Sequence, residues 1–350
     1  MVDLTSIYTA FFFKKRMQWM VAITFLICVT LYAILGLPNV HATSCLLLIP
    51  RGCTRYQLKE QLKNEGYIRN GAAFLWAVYL LKYHPKNTPG QYRLMGNITN
   101  WQLIRMLRGG MQHPVKLTFS TAANTTSLVD QLISRIGVNK EALCNLLHDA
   151  KKLSSYGFTP ENVLTMFIPD TYEVYWTITA EQLLSKMHLA YQRFWNTTRM
   201  HKAKKIQLSP IDVSILASIV QAETNDPQEA AMIAGVYLNR LKRNMPLQSC
   251  PMLIYALREK QLLINRVLQQ DTYIDSPYNS YRKKGLPPGP IGLPSVAMID
   301  AVLNYVPHDY LFFSAKEDFS GLHYFARHYS AHLKNAYKYR KALDRLQIMH

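Results

Sequence analysis

An uncharged apolar run near the N-terminus restricts most strongly what this chain can fold into. Residues 17–37 contain no charged side chain over 21 positions, and a helix of that length spans the hydrocarbon core of a membrane. The basic residues at 14–16 come directly before it, and basic flanks favour the cytoplasmic side. We therefore expect residues 1–16 to be a cytoplasmic tail, residues 17–37 to be one transmembrane helix, and the rest of the chain to be exported.

Two other interpretations of this run stay open. A cleavable signal peptide would also begin with basic residues, and Val40, His41 and Ala42 resemble a small-residue processing site. The apolar run is longer than a usual signal core, so we favour an uncleaved anchor. A buried core helix is the third interpretation.

The charge of the chain restricts its partners. Lys and Arg number 40 against 22 Asp and Glu, a net charge of +18, which favours polyanionic surroundings such as anionic lipid, nucleic acid or an acidic polymer. No zinc-finger spacing or RNA-binding aromatic signature accompanies the basic residues, so we expect no nucleic-acid partner.

The five cysteines form no C-x-x-C pair. We expect free thiols, although Cys45 and Cys53 are close enough in sequence to form a local bridge.

A short pattern repeats after the apolar run. Residues 54–66 and 99–109 share T-x-x-Q-L-x-x-x-L followed by a glycine, which predicts two helices with capping boxes. A looser third copy covers residues 124–137. Short strands are predicted before each helix, at 45–49, 91–94 and 114–119. Small modules of this kind bind or pack rather than catalyse, and a spacer role is the alternative.

The middle of the chain predicts fewer elements. Residues 143–153 and 180–195 have the apolar spacing of helices. A loop is expected at 167–172, where Pro169 and Asp170 favour a turn, and a basic turn at 200–205.

Residues 209–243 predict two helices with a carboxylate where they meet. Ser209 is suited to cap the first helix, and Glu223 lies on the face of Ile215 and Ile219, near the helix end. Burial and the negative end of the helix dipole both raise a carboxyl pKa, as a general acid requires. The alternative is a solvated glutamate one position further round the helix.

The second of these helices begins at Asp226. Pro227 suits its first position, and Glu229 is placed to complete a capping box with Asp226. Asp226 is therefore better explained as a cap than as a second catalytic carboxylate.

The last third of the chain combines loops rich in Tyr, Asn and Pro with a few short elements. Such loops suit sugar binding or, alternatively, merely pack. A helix is predicted at 294–304, paired strands at 309–315 and 323–326, and a basic helix at 330–346. His323, His328 and His332 are spaced like metal ligands, but strand and helix separate them and no carboxylate pattern joins them, so we expect no metal.

Several of these segments together resemble one family. The chain is similar to the endolytic murein transglycosylases of the MltG (YceG-like) family, and the likeness covers nearly its whole length. The matching segments, in family order, are GQYRL at 90–94, PDTY at 169–172, LASIVQAET at 216–224, VYLNRL at 236–241, MPLQ at 245–248, YNSY at 278–281, GLPPGPI at 285–291, HYF at 323–325 and His332.

The resemblance implies an α+β fold in three parts, with a transmembrane helix, a small LysM-like α/β module at 38–115 and an α+β catalytic domain. Residues 116–208 would connect the module to a catalytic core at 209–350. It also implies a single-pass protein of the inner (cytoplasmic) membrane, with its N-terminus in the cytoplasm and its catalytic domain in the periplasm. Nascent peptidoglycan strands would be its substrate, peptidoglycan synthases are candidate partners, and no cofactor is implied.

The family's catalytic glutamate corresponds to Glu223. It would cleave the MurNAc–GlcNAc bond alone, first as acid and then as base, and leave 1,6-anhydro ends that terminate glycan elongation. Two departures stand out. The family's E-K-E-T is Q-A-E-T here, and its L-Q-x-D-P-T becomes LQSCPM, with Cys250 and Met252 in place of Asp and Thr. These departures bring into question any substrate contact that the family's Asp and Thr make, but not the acid itself.

Side-chain chemistry and motif position suggest which residues contact the glycan. We hypothesise that five line the cleft, namely Asn239, Gln248, Tyr278, Asn279 and Tyr281. Two other functions stay open: a wall-binding scaffold in which Glu223 is inert, and a muramidase, a glycoside hydrolase with a second carboxylate.

Overall fold

The protein was analysed as a computed structural model that describes residues 4–41, 44–262 and 268–345. Ala42 of the processing-site alternative and Leu346 of the predicted last helix lie outside the described residues. The chain divides into two compact units. Unit 1 is Met1–Lys116 with Glu173–Thr177, and unit 2 is Leu117–Tyr172 with Ile178–His350. Helices joined to small antiparallel strand pairs confirm the predicted α+β class.

Unit 1 begins with one long helix, α1 (Leu4–Leu35). Its segment Phe13–Leu35 has a mean hydropathy of 2.1 and is not buried in the protein. By length and composition it is a candidate membrane span, and its exposure argues against the core-helix alternative. The helix ends two residues before the predicted end of the span.

The remainder of unit 1 packs three helices on two strand pairs. Strand β1 pairs antiparallel with β4, and β2 with β3 in continuous register from Cys45↔Leu94 to Ile49↔Gly90. Its elements are β1 (Pro38–Val40), β2 (Cys45–Ile49), α2 (Arg55–Asn64), α3 (Gly71–Leu80), β3 (Gly90–Leu94), β4 (Ile98–Thr99) and α4 (Asn100–Arg108). The predicted capping boxes are confirmed, since Thr54 exchanges hydrogen bonds with Gln57 and Thr99 with Gln102.

Helix α3 is absent from the sequence-based prediction. Its sequence GAAFLWAVYL is apolar on every side, so no amphipathic period marks it. The side chain of Asn70 caps it by accepting from the N–H of Ala73.

The next part of the chain contains five helices and two strands that pair with each other, and each strand includes residues assigned to both units. They are β5 (Val115–Phe119), α5 (Thr125–Ile133), α6 (Lys140–His148), α7 (Ala150–Ser154), β6 (Asp170–Val174), α8 (Ala180–Phe194) and α9 (Thr197–Lys205). The looser third copy of the pattern forms α5, and Asn124 and Ser127 form a capping box there that was not predicted.

Three local predictions in this part were wrong. The helix expected at 143–153 is two helices, because Asp149 takes an extended conformation and caps α7 through the N–H of Lys152. The loop expected at 167–172 includes the start of β6, and the ring of Tyr172 stacks on Phe119 at 5.5 Å. The basic turn expected at 200–205 belongs to α9, which Asn196 caps.

The last part of unit 2 is organised around α10 (Pro210–Glu223). Ser209 caps α10, as predicted, and the helix is buried without interruption from Val213 to Val220. Its neighbours are α11 (Pro227–Lys242), α12 (Cys250–Glu259) and α13 (Val296–Leu303). Three 3₁₀ turns complete the described elements, at Pro85–Asn87, Val163–Met166 and Gln269–Tyr273.

A strand pair and a helix close the chain. Strands β7 (Phe312–Ala315) and β8 (His323–Ala326) form the predicted antiparallel hairpin, and α14 (Tyr329–Arg345) follows. The chain before β7 crosses α11 at Gly235, where a Cβ atom would lie 2.6 Å from His308 Nε2 and 2.7 Å from the Val306 carbonyl. A side chain at Gly235 would push this segment away.

Candidate active site

Glu223 is the last residue of α10, as the sequence predicted, and the end of this helix is firmly held. Gln221 accepts a hydrogen bond from the N–H of Ser295 at 2.7 Å. Ser218 accepts one from the N–H of Ile291 at 3.1 Å. Thr224 then turns into an extended conformation. The carboxyl group therefore projects from a helix end with little freedom to move.

Two hydroxyl groups donate to the same oxygen of this carboxyl. The Tyr237 hydroxyl is 2.7 Å from Glu223 Oε1, and the Ser249 hydroxyl is 2.9 Å from it. Both are neutral donors, from α11 and from the residue before α12. Within the described part of the chain, the hydrogen bonds to this carboxyl end on Oε1, so Oε2 is the oxygen left for a substrate.

The surroundings favour the protonated form of Glu223. Burial raises the pKa of its carboxyl above the ordinary value, while the hydrogen bonds from Tyr237 and Ser249 and the nearby His323 lower it by less. The negative end of the α10 dipole acts in the same direction as burial. Burial also raises the pKa of Tyr237 well above its ordinary value, so the phenol stays a neutral donor. The predicted raised pKa is confirmed.

Glu223 faces a cavity of about 690 Å³. This volume falls in the range typical of small-molecule sites. Its walls combine aromatic rings with amide, guanidinium and imidazole groups, which suits a sugar with apolar faces and many hydroxyls. The lining residues are Glu223, Arg240, Met245, Leu247, Gln248, Cys250, Tyr281, Phe312, Phe313, Ser314, Ala315, His323, Tyr329 and His332.

Arg240 holds one wall of the cavity in place. Its buried guanidinium donates to the Leu311 carbonyl at 2.6 Å, to the Leu247 carbonyl at 2.9 Å and to Gln248 Oε1 at 3.1 Å. The planar fork of arginine suits such divergent acceptors. It therefore ties the strand-pair side of the cavity to the loop that presents Gln248.

Two of the five predicted glycan contacts lie in the cavity with Glu223. Gln248 lines it from a left-handed backbone conformation (φ 52°), which its N–H stabilises by donating to the Ser280 carbonyl. Tyr281 lines it with its hydroxyl 3.3 Å from Cys250 Sγ. Cys250, where the family has Asp, therefore lies within reach of a bound substrate. Met252, where the family has Thr, is buried in the core.

The other three predicted contacts lie elsewhere. Asn239 donates to the carbonyls of His308 and Tyr310 at 2.7 and 3.0 Å. Asn279 is fully buried and donates to two carbonyls of the preceding loop. Tyr278 faces a separate cavity of about 500 Å³. For Asn239 and Asn279 the structure shows framework roles, and a glycan contact by any of the three stays a prediction.

Two further carboxylates lie near Glu223 in sequence but have other partners. Asp226 caps α11, as predicted, by accepting from the N–H of Gln228 at 2.9 Å. The predicted capping box with Glu229 was wrong. Glu229 instead accepts from the backbone N–H of His323 at 2.6 Å and lies 3.1 Å from its ring Nδ1. That contact fixes strand β8 on α11.

The histidines do not gather into a metal site. His323 lies on β8 and His332 on α14, as predicted, and His332 stacks on Phe312 at 5.4 Å. Over residues 4–41, 44–262 and 268–345, no group of three or more His, Cys, Asp or Glu side chains could hold a metal ion. The five cysteines are free thiols in the structure.

Sequence reasoning missed the residues that contact the carboxyl. Tyr237 is a phenol among the aliphatic core positions of α11, and a buried tyrosine usually places its hydroxyl on a polar partner. Ser249 occupies the N-cap position of α12 without making a cap hydrogen bond. The Tyr237 signal was in the sequence, but it does not identify Glu223 as the partner, and the unused cap of Ser249 is visible only in the structure.

Among the described residues, the fold places one buried carboxyl group, that of Glu223, at the wall of this cavity. A family model described as the YceG-like family matches residues 47–338. The chain belongs to the YceG-like family, which confirms the resemblance drawn from its motifs.

Named relatives agree with this family. The chain is 27% identical over 322 residues to endolytic murein transglycosylases of two Streptococcus pneumoniae strains, covering 82% of this chain and 57% of the relative. It is 26% identical over 287 residues to that of Bacillus subtilis, covering 77% and 78%. The chain thus spans a little over half the length of its streptococcal relatives. A crystallised YceG-like protein of Listeria monocytogenes aligns with a TM-score of 0.53 at 25% identity, covering 83% of this chain and 98% of that one.

Proposed function

We propose that this chain is a lytic transglycosylase that cleaves the MurNAc–GlcNAc bond of nascent peptidoglycan strands. The observation that carries this proposal is a single carboxyl group, Glu223, in a sugar-sized cavity with neutral donors on one of its two oxygens. The names of the relatives, endolytic murein transglycosylases, support the same substrate.

In the first step Glu223 acts as an acid. Its raised pKa keeps the proton available near neutral pH, and Oε2 is free to donate it to the glycosidic oxygen. The bond between that oxygen and the muramyl C1 breaks, and its electron pair leaves with the departing GlcNAc. The muramyl ring is left with oxocarbenium character, and Glu223 becomes a carboxylate.

In the second step the same group acts as a base. The carboxylate takes the proton of the muramyl 6-hydroxyl while that oxygen forms a bond to C1, which closes a 1,6-anhydro ring. No water is consumed, and Glu223 regains its proton. Tyr237 and Ser249 stabilise the carboxylate between the steps, because hydrogen bonds to a charged acceptor are stronger than those to a neutral one.

A muramidase would need a second carboxylate. Glycosidases of that type place two carboxyl groups about 5–9.5 Å apart across the scissile bond. In the part of the chain that the structure describes, Glu223 is the only acidic residue lining the cavity. Asp226 and Glu229 are engaged by the α11 cap and by His323. The hydrolase and the inert scaffold are therefore less well supported.

Product analysis separates the three functions. Purified full-length protein should convert peptidoglycan strands to products with anhydro ends. Glu223→Ala should abolish them, and Glu141→Ala, a change to an exposed glutamate on α6, should not. Reducing ends would indicate a muramidase, and retained binding without products would indicate a scaffold.

We further propose that α1 is an uncleaved inner-membrane anchor with its N-terminus in the cytoplasm and the catalytic unit outside. The basic residues before the span and the murein substrate of the relatives support this orientation. A phosphatase fused to the C-terminus should be active only if that end is exported.

Peptidoglycan synthases stay candidate partners, and a LysM-like identity for residues 38–115 stays a proposal. The net charge of +18 should help approach to an acidic wall, so turnover should fall as salt rises.

A further inference from the structure

Helix α3 exposes a largely apolar face to water in the described chain, on which Tyr79 contacts Arg55 and Tyr56. Its ten residues include no charged side chain, and the Tyr79 hydroxyl and the Trp76 indole N–H are their only polar side-chain groups. One side of the helix, with Phe74, Ala77 and Val78, packs into the core of unit 1. On the other side Trp76, Tyr79 and Leu80 remain 62%, 43% and 46% exposed. A helix that is apolar all round belongs in an apolar environment on every side.

The position of α3 indicates what that environment is. Its Cα atoms approach those of α1 within 8 Å, and Ile34 and Leu35 at the end of α1 pack on the core that also holds Phe74. Asn100, at the start of α4, donates a hydrogen bond to the Ile34 carbonyl at 2.7 Å. The candidate span therefore ends directly on this part of unit 1. Helix α3 lies where the span would leave the hydrocarbon core.

The charge around α3 is that of a membrane interface. Residues 38–116 contain eleven Lys and Arg but only two Glu and no Asp. The Arg55 guanidinium lies over the Tyr79 ring at 4.7 Å, and Arg108 donates to the Leu81 carbonyl next to the helix end. On α4, Arg105 lies over the half-exposed ring of Trp101 at 5.2 Å. Aromatic rings beside basic groups are typical of the headgroup region, where anionic lipids attract the cations.

We propose that the α3 face, defined as Trp76, Tyr79 and Leu80, inserts into the interfacial layer of an anionic phospholipid membrane, on the side where α1 leaves it. The face would hold unit 1 against the bilayer as a second contact beside the span. A glycan fits this face poorly, because sugar sites need several polar groups and only the Tyr79 hydroxyl and the Trp76 indole N–H are present here. The proposal depends on the proposed span but not on the glycan-cleaving chemistry.

Tryptophan fluorescence of the full chain in lipid nanodiscs tests this proposal. The chain has five tryptophans, so the emission of one is obtained by subtracting the spectrum of its Phe variant. With brominated phospholipids in phosphatidylglycerol-containing discs, the Trp76 contribution should lose most of its intensity and be blue-shifted. In zwitterionic phosphatidylcholine discs the loss should be smaller.

Two other tryptophans serve as controls. Trp19 lies inside the candidate span, so the Trp19→Phe difference should be quenched by the bromines. Trp195 is buried in unit 2, and its difference should not be quenched. If Trp19 is quenched while Trp76 emits like a water-exposed indole and is quenched only by aqueous iodide, the α3 face serves a glycan or a protein instead and the proposal is wrong. If Trp19 itself is not quenched, the span fails and the α3 contact fails with it.

A second measurement excludes a loss of fold as the explanation. Leu80→Asp changes an exposed residue and should leave the circular dichroism of the chain unchanged. It should also reduce the quenching of Trp76 by the bromines, because the charge resists the interface. Unchanged quenching in Leu80→Asp would contradict the contact.

Discussion

Two glutamates six positions apart in the sequence have opposite surroundings. Glu223 ends α10, at the negative end of that helix dipole, and receives hydrogen bonds from the neutral hydroxyls of Tyr237 and Ser249. Glu229 lies in the first turn of α11, at the positive end, and receives the backbone N–H of His323 with the imidazole close by. Burial and the helix dipole favour the neutral form of Glu223, and the two hydroxyl hydrogen bonds oppose them by less. Glu229 instead lies at the positive end of its helix dipole and is held by a backbone N–H.

The difference explains why one glutamate suits chemistry and the other suits structure. An acid–base group must gain and lose its proton, so partners that do not fix its charge are an advantage. A group that joins two elements must keep its partner, as Glu229 does between α11 and β8. The cavity opens at Glu223 and not at Glu229, which agrees with this division.

Activity measurements give the largest expected contrast between the two. Glu223→Gln should lower the rate of anhydro-product formation on the order of 10²- to 10⁴-fold, the usual loss when a general acid–base is removed. Glu229→Gln keeps a carbonyl oxygen for the N–H of His323 and should stay within about tenfold of the wild type. Product release from labelled peptidoglycan measures both variants. Equal losses would show that Glu229 takes part in the chemistry and would end the distinction.

Replacing each of the two glutamates should change the free energy of unfolding in opposite directions. Glu229→Ala leaves the His323 N–H without its acceptor and should lower the free energy of unfolding by about 1–3 kcal/mol.

Glu223 has a folded-state pKa above its unfolded value. Its contribution to stability is therefore complete below the unfolded pKa and is lost as pH rises through the folded pKa. Glu223→Gln, which cannot ionise, should be more stable than the wild type at alkaline pH and similar at acidic pH.

Urea unfolding followed by circular dichroism, repeated from acidic to alkaline pH, measures this effect. Glu141→Gln on the surface of α6 is the matched control and should follow the wild type at each pH. A Glu223→Gln variant that loses stability at alkaline pH would mean that the carboxylate, not the acid, is the form that the folded protein stabilises.

Whether the sequence predicted a feature depended on how many positions apart in the chain its interacting residues are. The caps at Thr54, Thr99 and Ser209 depend on partners three positions away, so a local pattern was sufficient to find them. The position of Glu223 at a helix end was local as well. Its partners Tyr237 and Ser249 are 14 and 26 positions away, and no periodicity connects them.

Distant contacts also explain one wrong prediction, at Glu229, and one that stays a prediction, at Asn239. Glu229 fits a capping box by spacing, but a partner 94 positions away displaces that bond. Asn239 has the chemistry of a sugar contact, and the carbonyls that take its amide lie 69 and 71 positions away. Contacts with residues distant in the sequence determined the hydrogen-bond partners of these two side chains. The family motifs located the region around Glu223, because each motif belongs to a fold in which these long-range contacts are present.

Removing one hydroxyl donor should change the pH profile of Glu223. Ser249→Ala deletes a hydrogen bond that lowers the pKa of the carboxyl, so that pKa should rise further. The alkaline limb of kcat/KM, where the acid loses its proton, should move to higher pH. Ser214→Ala is the matched control, since its hydroxyl donates to the Pro210 carbonyl within α10. A limb that moves to lower pH, or moves equally in Ser214→Ala, would contradict the role of Ser249.

The smallest expected effects separate residues of the cavity from residues of its frame. Gln248 lines the cavity, so Gln248→Ala should lower turnover by about 2- to 12-fold, the value of one hydrogen bond of about 0.5–1.5 kcal/mol, with little change in stability, because the Arg240 nitrogen that donates to Gln248 keeps the Pro246 and Leu247 carbonyls as acceptors. Asn239 holds the His308–Tyr310 segment, so Asn239→Ala should lower the free energy of unfolding by about 1–3 kcal/mol. Its turnover per folded molecule should change less than that of Gln248→Ala. Steady-state rates and urea midpoints, measured on the same two preparations, distinguish a cavity residue from a framework residue.

If Asn239→Ala instead loses turnover at full stability, its amide reaches the glycan after all. The division between proton-transferring and structural side chains, drawn from Glu223 and Glu229, would then not extend to the amides around them.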